Sequence, residues 1–169
     1  KKHSFTHINT QVGAHILMKN LFSVEGKVAV VTGGSRGIGA MIARGLVENG
    51  VKTYITARNA EELHATAKTL STLGECIAIP SDLSTMEGVT AFAEAVSAQE
   101  CEVHILINNA GTNWEAGIDE FPESGWDKAF NLNVKSMFFL TQKLLPSLRS
   151  AGTANDPSRV INIGSIHGI

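Results

Sequence analysis

The chain has 169 residues, 43% hydrophobic and 18% charged, with a formal net charge of -2, and folding at this length hides roughly 70% of the unfolded surface. That balance supplies no basic field to hold a nucleic-acid backbone, no apolar run approaches the roughly 18 residues of a membrane helix, and the N-terminus lacks the apolar stretch of a secretory signal. Cys76 and Cys101 are the only cysteines; without CxxC spacing or a His pair they are expected to be reduced thiols of a cytoplasmic protein.

Residues 1–17 carry three of the six His and little periodicity, and they precede a Met18 that opens a well-patterned region. They are expected to form a disordered or spurious leader, with one nucleotide-binding domain over 18–169. His3 and His7 stand four apart, which on a helix gives one face, but no nearby carboxylate or Cys completes a metal site. No metal is expected.

The run 28–31 is short and uniformly apolar, which predicts a central strand buried on both faces. Ile38, Met41, Ile42, Gly45 and Leu46 then recur at helical spacing, and Gly50 closes the stretch. Residues 52–57 predict a second strand. Asn59 with Glu62 three residues later makes a capping box for a helix carrying Leu63, Ala67 and Leu70. The unit repeats: a third strand over 75–80, then Ser84 with Glu87 capping a helix whose Val89, Phe92, Ala93 and Val96 share a face. A fourth strand over 103–107 follows. A long helix over 126–149 has Met137, Phe138, Thr141, Leu144, Leu145 and Leu148 on one stripe, and a fifth strand spans 159–163. Such alternation predicts an α/β fold, a parallel sheet with helices on both faces and right-handed crossovers. Residues 152–158, with Asn-Asp-Pro inside, read as a surface loop.

Between the first strand and the first helix stands Thr32-Gly33-Gly34-Ser35-Arg36-Gly37-Ile38-Gly39. A glycine cluster alone makes many ordinary turns. Placed between strand and helix, it allows a tight turn, brings backbone close to a pyrophosphate and aims a helix N-terminus at the anion, which predicts dinucleotide binding. The end of the second strand selects between NAD and NADP, because an acid there accepts from the ribose 2′-OH and repels a 2′-phosphate. Here it reads Thr56-Ala57-Arg58-Asn59, with no acid. Arg58 and Arg36 are therefore expected to clamp a 2′-phosphate through charge-assisted bonds, and the cofactor is expected to be NADP(H).

With Thr-Gly-x-x-x-Gly-x-Gly over Thr32 to Gly39 and Asn108-Asn109-Ala110-Gly111 after the fourth strand, the chain resembles the short-chain dehydrogenase/reductase family from about Phe22 to its last residue. The resemblance implies a Rossmann-type doubly wound sheet, with five strands present in the order 3-2-1-4-5 and the last strands of the family fold missing. It implies cofactor contacts from Thr32, Gly33, Ser35, Arg36, Gly37, Ile38, Gly39, Arg58, Asn109, Ala110 and Gly111, with Asp82 and Leu83 at the adenine. Asn133, in Asn131-Leu132-Asn133-Val134, matches the family's Asn that holds a water in the proton relay. Ser165, in Ile161-Asn162-Ile163-Gly164-Ser165, matches the catalytic Ser that hydrogen-bonds the substrate carbonyl. The wording of the glycine turn, of Phe121 to Trp126 and of Arg159 to Ser165 looks closest to the 3-oxoacyl-(acyl carrier protein) reductase branch.

The family's proton donor, a Tyr in Tyr-x-x-x-Lys, is absent: the single Tyr is Tyr54, inside the second strand, and no Lys follows Lys143. The chain is accordingly expected to be a fragment of a longer reductase and to be inactive by itself. Two functions stand side by side. One is an NADP(H)-dependent ketone/alcohol oxidoreductase, probing a carbonyl or acyl-thioester substrate and working as a homo-oligomer when intact. The other is a noncatalytic nucleotide-binding or oligomer-interface module built on the long helix. Asn113, Trp114 and the loop through Pro122 are expected to flank the substrate mouth, where an indole fits acyl chains, steroids or sugars alike.

Overall fold

The computed structural model describes residues 22–165, so the expectations for the leader at 1–17 and for His3 and His7 lie outside the described residues. Val28–Thr32 (β1), Lys52–Thr56 (β2), Cys76–Ala78 (β3), Ile105–Asn108 (β4) and Arg159–Asn162 (β5) form one parallel sheet in the order β3-β2-β1-β4-β5. The expected fold and order are thus present. β3 is shorter at both ends than expected, and β4 starts two residues later. Before β4, His104 still joins the sheet through its own N–H to Val28 O at 2.9 Å and accepts at Nδ1 from Val28 N at 3.1 Å.

Alternation along the strands divides the core between two faces. Ala29, Val31, Ile55, Ile105 and Ile107 pack with Ala43, Val47, Leu63, Ala67 and Leu70, which belong to Gly37–Glu48 (α1) and Ala60–Leu70 (α2). Val30, Tyr54 and Leu106 face the other way, against Val89, Phe92 and Val96 of Met86–Ser97 (α3) and Leu140, Leu144 and Leu148 of Ser136–Ala151 (α5). Because the chain crosses from β3 past β1 to β4, the crevice between β1 and β4 at the carboxyl ends of the strands is the point where ligands bind in such sheets.

α2 begins where the sequence predicts, with Asn59 accepting from Glu62 N at 3.1 Å, but the Glu62 carboxylate accepts from Ser35 Oγ at 3.0 Å instead of closing a capping box on Asn59. α1 ends with Gly50 N to Val47 O at 3.0 Å and Val51 N to Leu46 O at 3.1 Å, the paired bonds of a Schellman motif. The cap of α3 differs from expectation: Thr85, not Ser84, accepts from Gly88 N at 3.1 Å, while Ser84 donates to Asp82 Oδ1 at 2.7 Å and so serves the preceding turn.

Two helix faces also differ. In α1 the buried residues are Gly39, Ala43 and Val47, whereas Ile38 and Met41 are 62% and 72% exposed. The reason is close approach at the helix start: at Gly39 there is no room for a Cβ beside Gly33 O and Asn109 Nδ2, so hydrophobicity does not mark the sheet-facing side there. The expected long helix begins at Glu123 and is divided into Glu123–Phe130 (α4), a wide π-helical turn at Asn131–Lys135, and α5. Its buried line runs through Leu132, Ser136, Leu140, Leu144, Ser147 and Leu148. Met137, Phe138, Thr141 and Leu145 lie beside it, lining an open cavity of about 520 Å³ with Val160.

Candidate functional site

The glycine turn leaves β1 with positive φ at Gly33 (+67°) and Gly37 (+56°). Thr32, at the last position of β1, is buried, and its Oγ1 accepts from Asn109 N and Ala110 N, both at 2.9 Å. The Asn109 side chain returns the link, donating from Nδ2 to Thr32 O at 2.9 Å and to Gly33 O at 3.3 Å. One hydroxyl and one amide therefore lock the turn after β1 to the turn after β4.

The first turn of α1 seats against this lock. A Cβ on Gly39 would lie 2.1 Å from Gly33 O and 2.5 Å from Asn109 Nδ2, closer than real Cβ atoms come. Arg36, at the N-cap, is extended and makes no side-chain cap, and the first turn holds no acid. α2 and α3 are capped by Asn59 and Thr85 and carry acids in their first turns. Of these three helices, α1 is the one whose positive end no side chain caps, the arrangement that favours an anionic ligand.

Around it opens a cavity of about 590 Å³. Of the residues named from sequence, Gly33, Ser35, Arg36, Arg58, Leu83, Asn109, Ala110 and Gly111 line it. Thr32 and Gly39 lie beneath as supports. Ile38 points outward from the first turn, and Asp82 is exposed with its carboxylate accepting from Ser84 N and Oγ. Sequence reasoning missed Thr56, Ala57, Asn59, Glu62, Ser81 and Leu132 in the lining. Glu62 had a signal: it occupies the first turn of a helix that starts beside β2's carboxyl end, so its side chain faces the crevice. Its Oε2 accepts from Ser35 Oγ at 3.0 Å, and its Oε1 lies 3.9 Å from Arg36 Nη1.

Farther along the same edge, Asn133 in the π-helical turn donates from Nδ2 to Thr112 O at 2.7 Å and accepts at Oδ1 from Thr112 N at 2.9 Å. One amide hydrogen and one lone pair of that side chain remain for other partners. Trp114 packs on α4, where a Cβ on Gly125 would lie 2.7 Å from its ring, and Lys128 Nζ sits 5.1 Å from the ring centroid. Ser165 follows β5 at its carboxyl end and is exposed. Tyr54 lies elsewhere. It stands in the middle of β2, its hydroxyl donates to Glu100 Oε1 at 2.6 Å, and Nζ of Lys52, the first residue of that strand, reaches the same carboxylate at 2.7 Å. Burial first, then the bond to Glu100, pushes the Tyr54 phenol up to about 12.

Residues 27–169 match the short chain dehydrogenase family. The chain belongs to this family. It is 51% identical over 152 residues to the rhamnolipids biosynthesis 3-oxoacyl-[acyl-carrier-protein] reductase of Pseudomonas aeruginosa, covering 90% of this chain and 59% of that protein. The Pseudomonas aeruginosa RhlG/NADP active-site complex superposes with a TM-score of 0.84 at 51% identity, over 88% of this chain and 58% of that one. A metagenomic short-chain oxidoreductase in complex with NADP gives 0.77 at 36% identity, over 85% and 64% of the two chains. The chain thus spans a little under two thirds of the length of these family members. Among the described residues, no helix is long and apolar enough to cross a membrane and no group of three His, Cys, Asp or Glu could hold a metal ion.

Proposed function

We propose that the chain carries the dinucleotide half of an NADP(H)-dependent ketone/alcohol oxidoreductase, acting on a small carbonyl compound and, by its likeness to the rhamnolipid-pathway enzyme, on a 3-oxoacyl thioester. The observation that carries this reading is the pairing of an uncapped, glycine-seated helix end with Arg36 and Arg58 in one cavity. The cradle fits the cofactor: glycine at 33 and 39 keeps the floor free of side chains where any Cβ would collide with the opposite turn.

In this reading the α1 N-terminus and Gly33 hold the pyrophosphate, and Arg36 and Arg58 hold the 2′-phosphate. Leu83 gives the adenine an apolar wall, and Asn109, Ala110 and Gly111 carry the groove toward the nicotinamide. NADPH, when bound, supplies a hydride to a carbonyl carbon. Ser165 would donate a hydrogen bond to the carbonyl oxygen, and Asn133 would position a water with the amide hydrogen that Thr112 does not use. The proton would come from a group other than Tyr54, which Glu100 and burial hold protonated at the opposite edge of the sheet.

The test is cofactor choice. In Arg58→Asp the ratio of NADH to NADPH Kd, measured by titration calorimetry, should move at least about tenfold toward NADH, since one charge-assisted bond is worth about 1.5 to 3 kcal/mol; an unchanged ratio would overturn the assignment of this corner. One observation favours the second reading, an interface module. The flank formed by α5 and β5 exposes Phe138 (64%) and Val160 (42%) together, with Met137 and Leu145 beside them, an apolar surface suited to a homo-oligomer.

A further inference from the structure

Resting on the NADP(H) reading, we infer that Glu62 is a specificity-determining residue, a carboxylate in the cofactor cavity that weakens the hold on a 2′-phosphate and so narrows the gap between NADPH and NADH. The cavity wall around Arg58 is not purely basic. Glu62 lines it with Ser35, Arg36, Arg58 and Asn59, and its two oxygens engage both turn residues: Oε2 accepts from Ser35 Oγ at 3.0 Å and Oε1 faces Arg36 Nη1 at 3.9 Å. Its place is fixed by the start of α2, where its own N–H donates to Asn59 Oδ1 at 3.1 Å.

Two effects follow, both acting against a dianion. Arg36, whose side chain is 84% exposed, already has an anionic neighbour, so a phosphate gains only the difference between two ion pairs. The carboxylate also stays in the wall and repels the incoming charge across a few ångströms of partly hydrated space. A ribose 2′-OH meets neither penalty and finds in Glu62 an acceptor of the kind an acid at the strand end would otherwise provide.

Glu62→Gln removes the charge but keeps the length, the acceptor for Ser35 and the helix-start position. Calorimetric titration of the full chain with adenosine 2′,5′-bisphosphate should show Kd falling about threefold to tenfold in E62Q, while Kd for 5′-AMP, whose 2′-OH loses a charged acceptor, should not fall. The gain should shrink at high salt, because partly exposed charges are screened. Glu62→Ala, which removes the contact to Ser35 as well, should also tighten the bisphosphate. Weaker bisphosphate binding in both variants would mean that Glu62 acts as a strap positioning Ser35 and Arg36, and would overturn the inference; so would an unchanged Kd. If the unsubstituted chain binds 5′-AMP but gains nothing from the 2′-phosphate, the NADP(H) reading itself falls, an outcome separable from the failure of Glu62 alone.

Discussion

Gly39→Ala is expected to weaken NADPH binding by about tenfold to a hundredfold, the loss of one charge-assisted bond to the phosphates worth about 1.5 to 3 kcal/mol. The added methyl would stand 2.1 Å from Gly33 O, a backbone atom with no rotamer to adopt, and 2.5 Å from Asn109 Nδ2. Relief requires α1 to move off the turn, which breaks the contact of Asn109 with Thr32 O and Gly33 O and withdraws the helix end from the cavity. Overpacking of this kind also destabilises by about 1 to 3 kcal/mol, lowering Tm by a few degrees in a chain of this size. Gly45→Ala is the control. It sits in the same helix, exposed and with nothing within 4 Å of the new Cβ, so it should stabilise by up to about 1 kcal/mol. Calorimetry of both variants with NADPH decides the matter; an affinity within threefold of the unsubstituted chain for Gly39→Ala would show that the close approach is not needed.

The 169-residue chain, purified and shown by circular dichroism to be folded, is expected to reduce no acetoacetyl thioester at a measurable rate when NADPH absorbance is followed. General acid catalysis contributes about a hundredfold to ten-thousandfold, and the one tyrosine in the sequence is in the wrong place and the wrong state to provide it. Tyr54 donates to Glu100 beside Lys52 at the edge where β2 begins, whereas the glycine turn follows the end of β1. A phenol pushed up to about 12 is a weak acid at neutral pH. Ser165 can donate a hydrogen bond, but an ordinary hydroxyl does not give up its proton. Turnover near the roughly 10 per second of a typical enzyme would refute this account.

Much of the fold was legible because its signals are local. Five short apolar runs separated by amphipathic stretches give the sheet, and the faces of α2 and α3 follow from Leu63, Ala67 and Leu70 and from Val89, Phe92, Ala93 and Val96, all buried. Where reading by hydrophobicity failed, small residues did the packing. The sheet-facing side of α1 starts with Gly39 and Ala43 before it reaches Val47, and that of α5 includes Ser136, which stays satisfied by donating to Leu132 O at 2.6 Å. A single helical period over 126–149 also could not anticipate the π-helical turn, which shifts the phase between α4 and α5. At the site, the glycine turn, Asn109 and both arginines were readable as a motif. Glu62 was readable as a helix-start residue beside the carboxyl end of β2, but its tie to Ser35, 27 positions earlier in the chain, was not, and helix-cap logic accounts for it without any reference to a ligand.

The pair of hydrogen bonds between Asn133 and Thr112 has a consequence for the loop that it anchors. Thr112 is held through both its N–H and its C=O, and two residues later the Trp114 ring rests on Gly125. Freedom to rearrange is therefore concentrated in residues 115–121, which are exposed apart from the half-buried last of them. Immobilising a residue's backbone costs about 1 to 2 kcal/mol of conformational entropy, and Thr112 and Trp114 have surrendered much of theirs before any ligand arrives. A molecule closing the loop over itself would thus need to order only its tip.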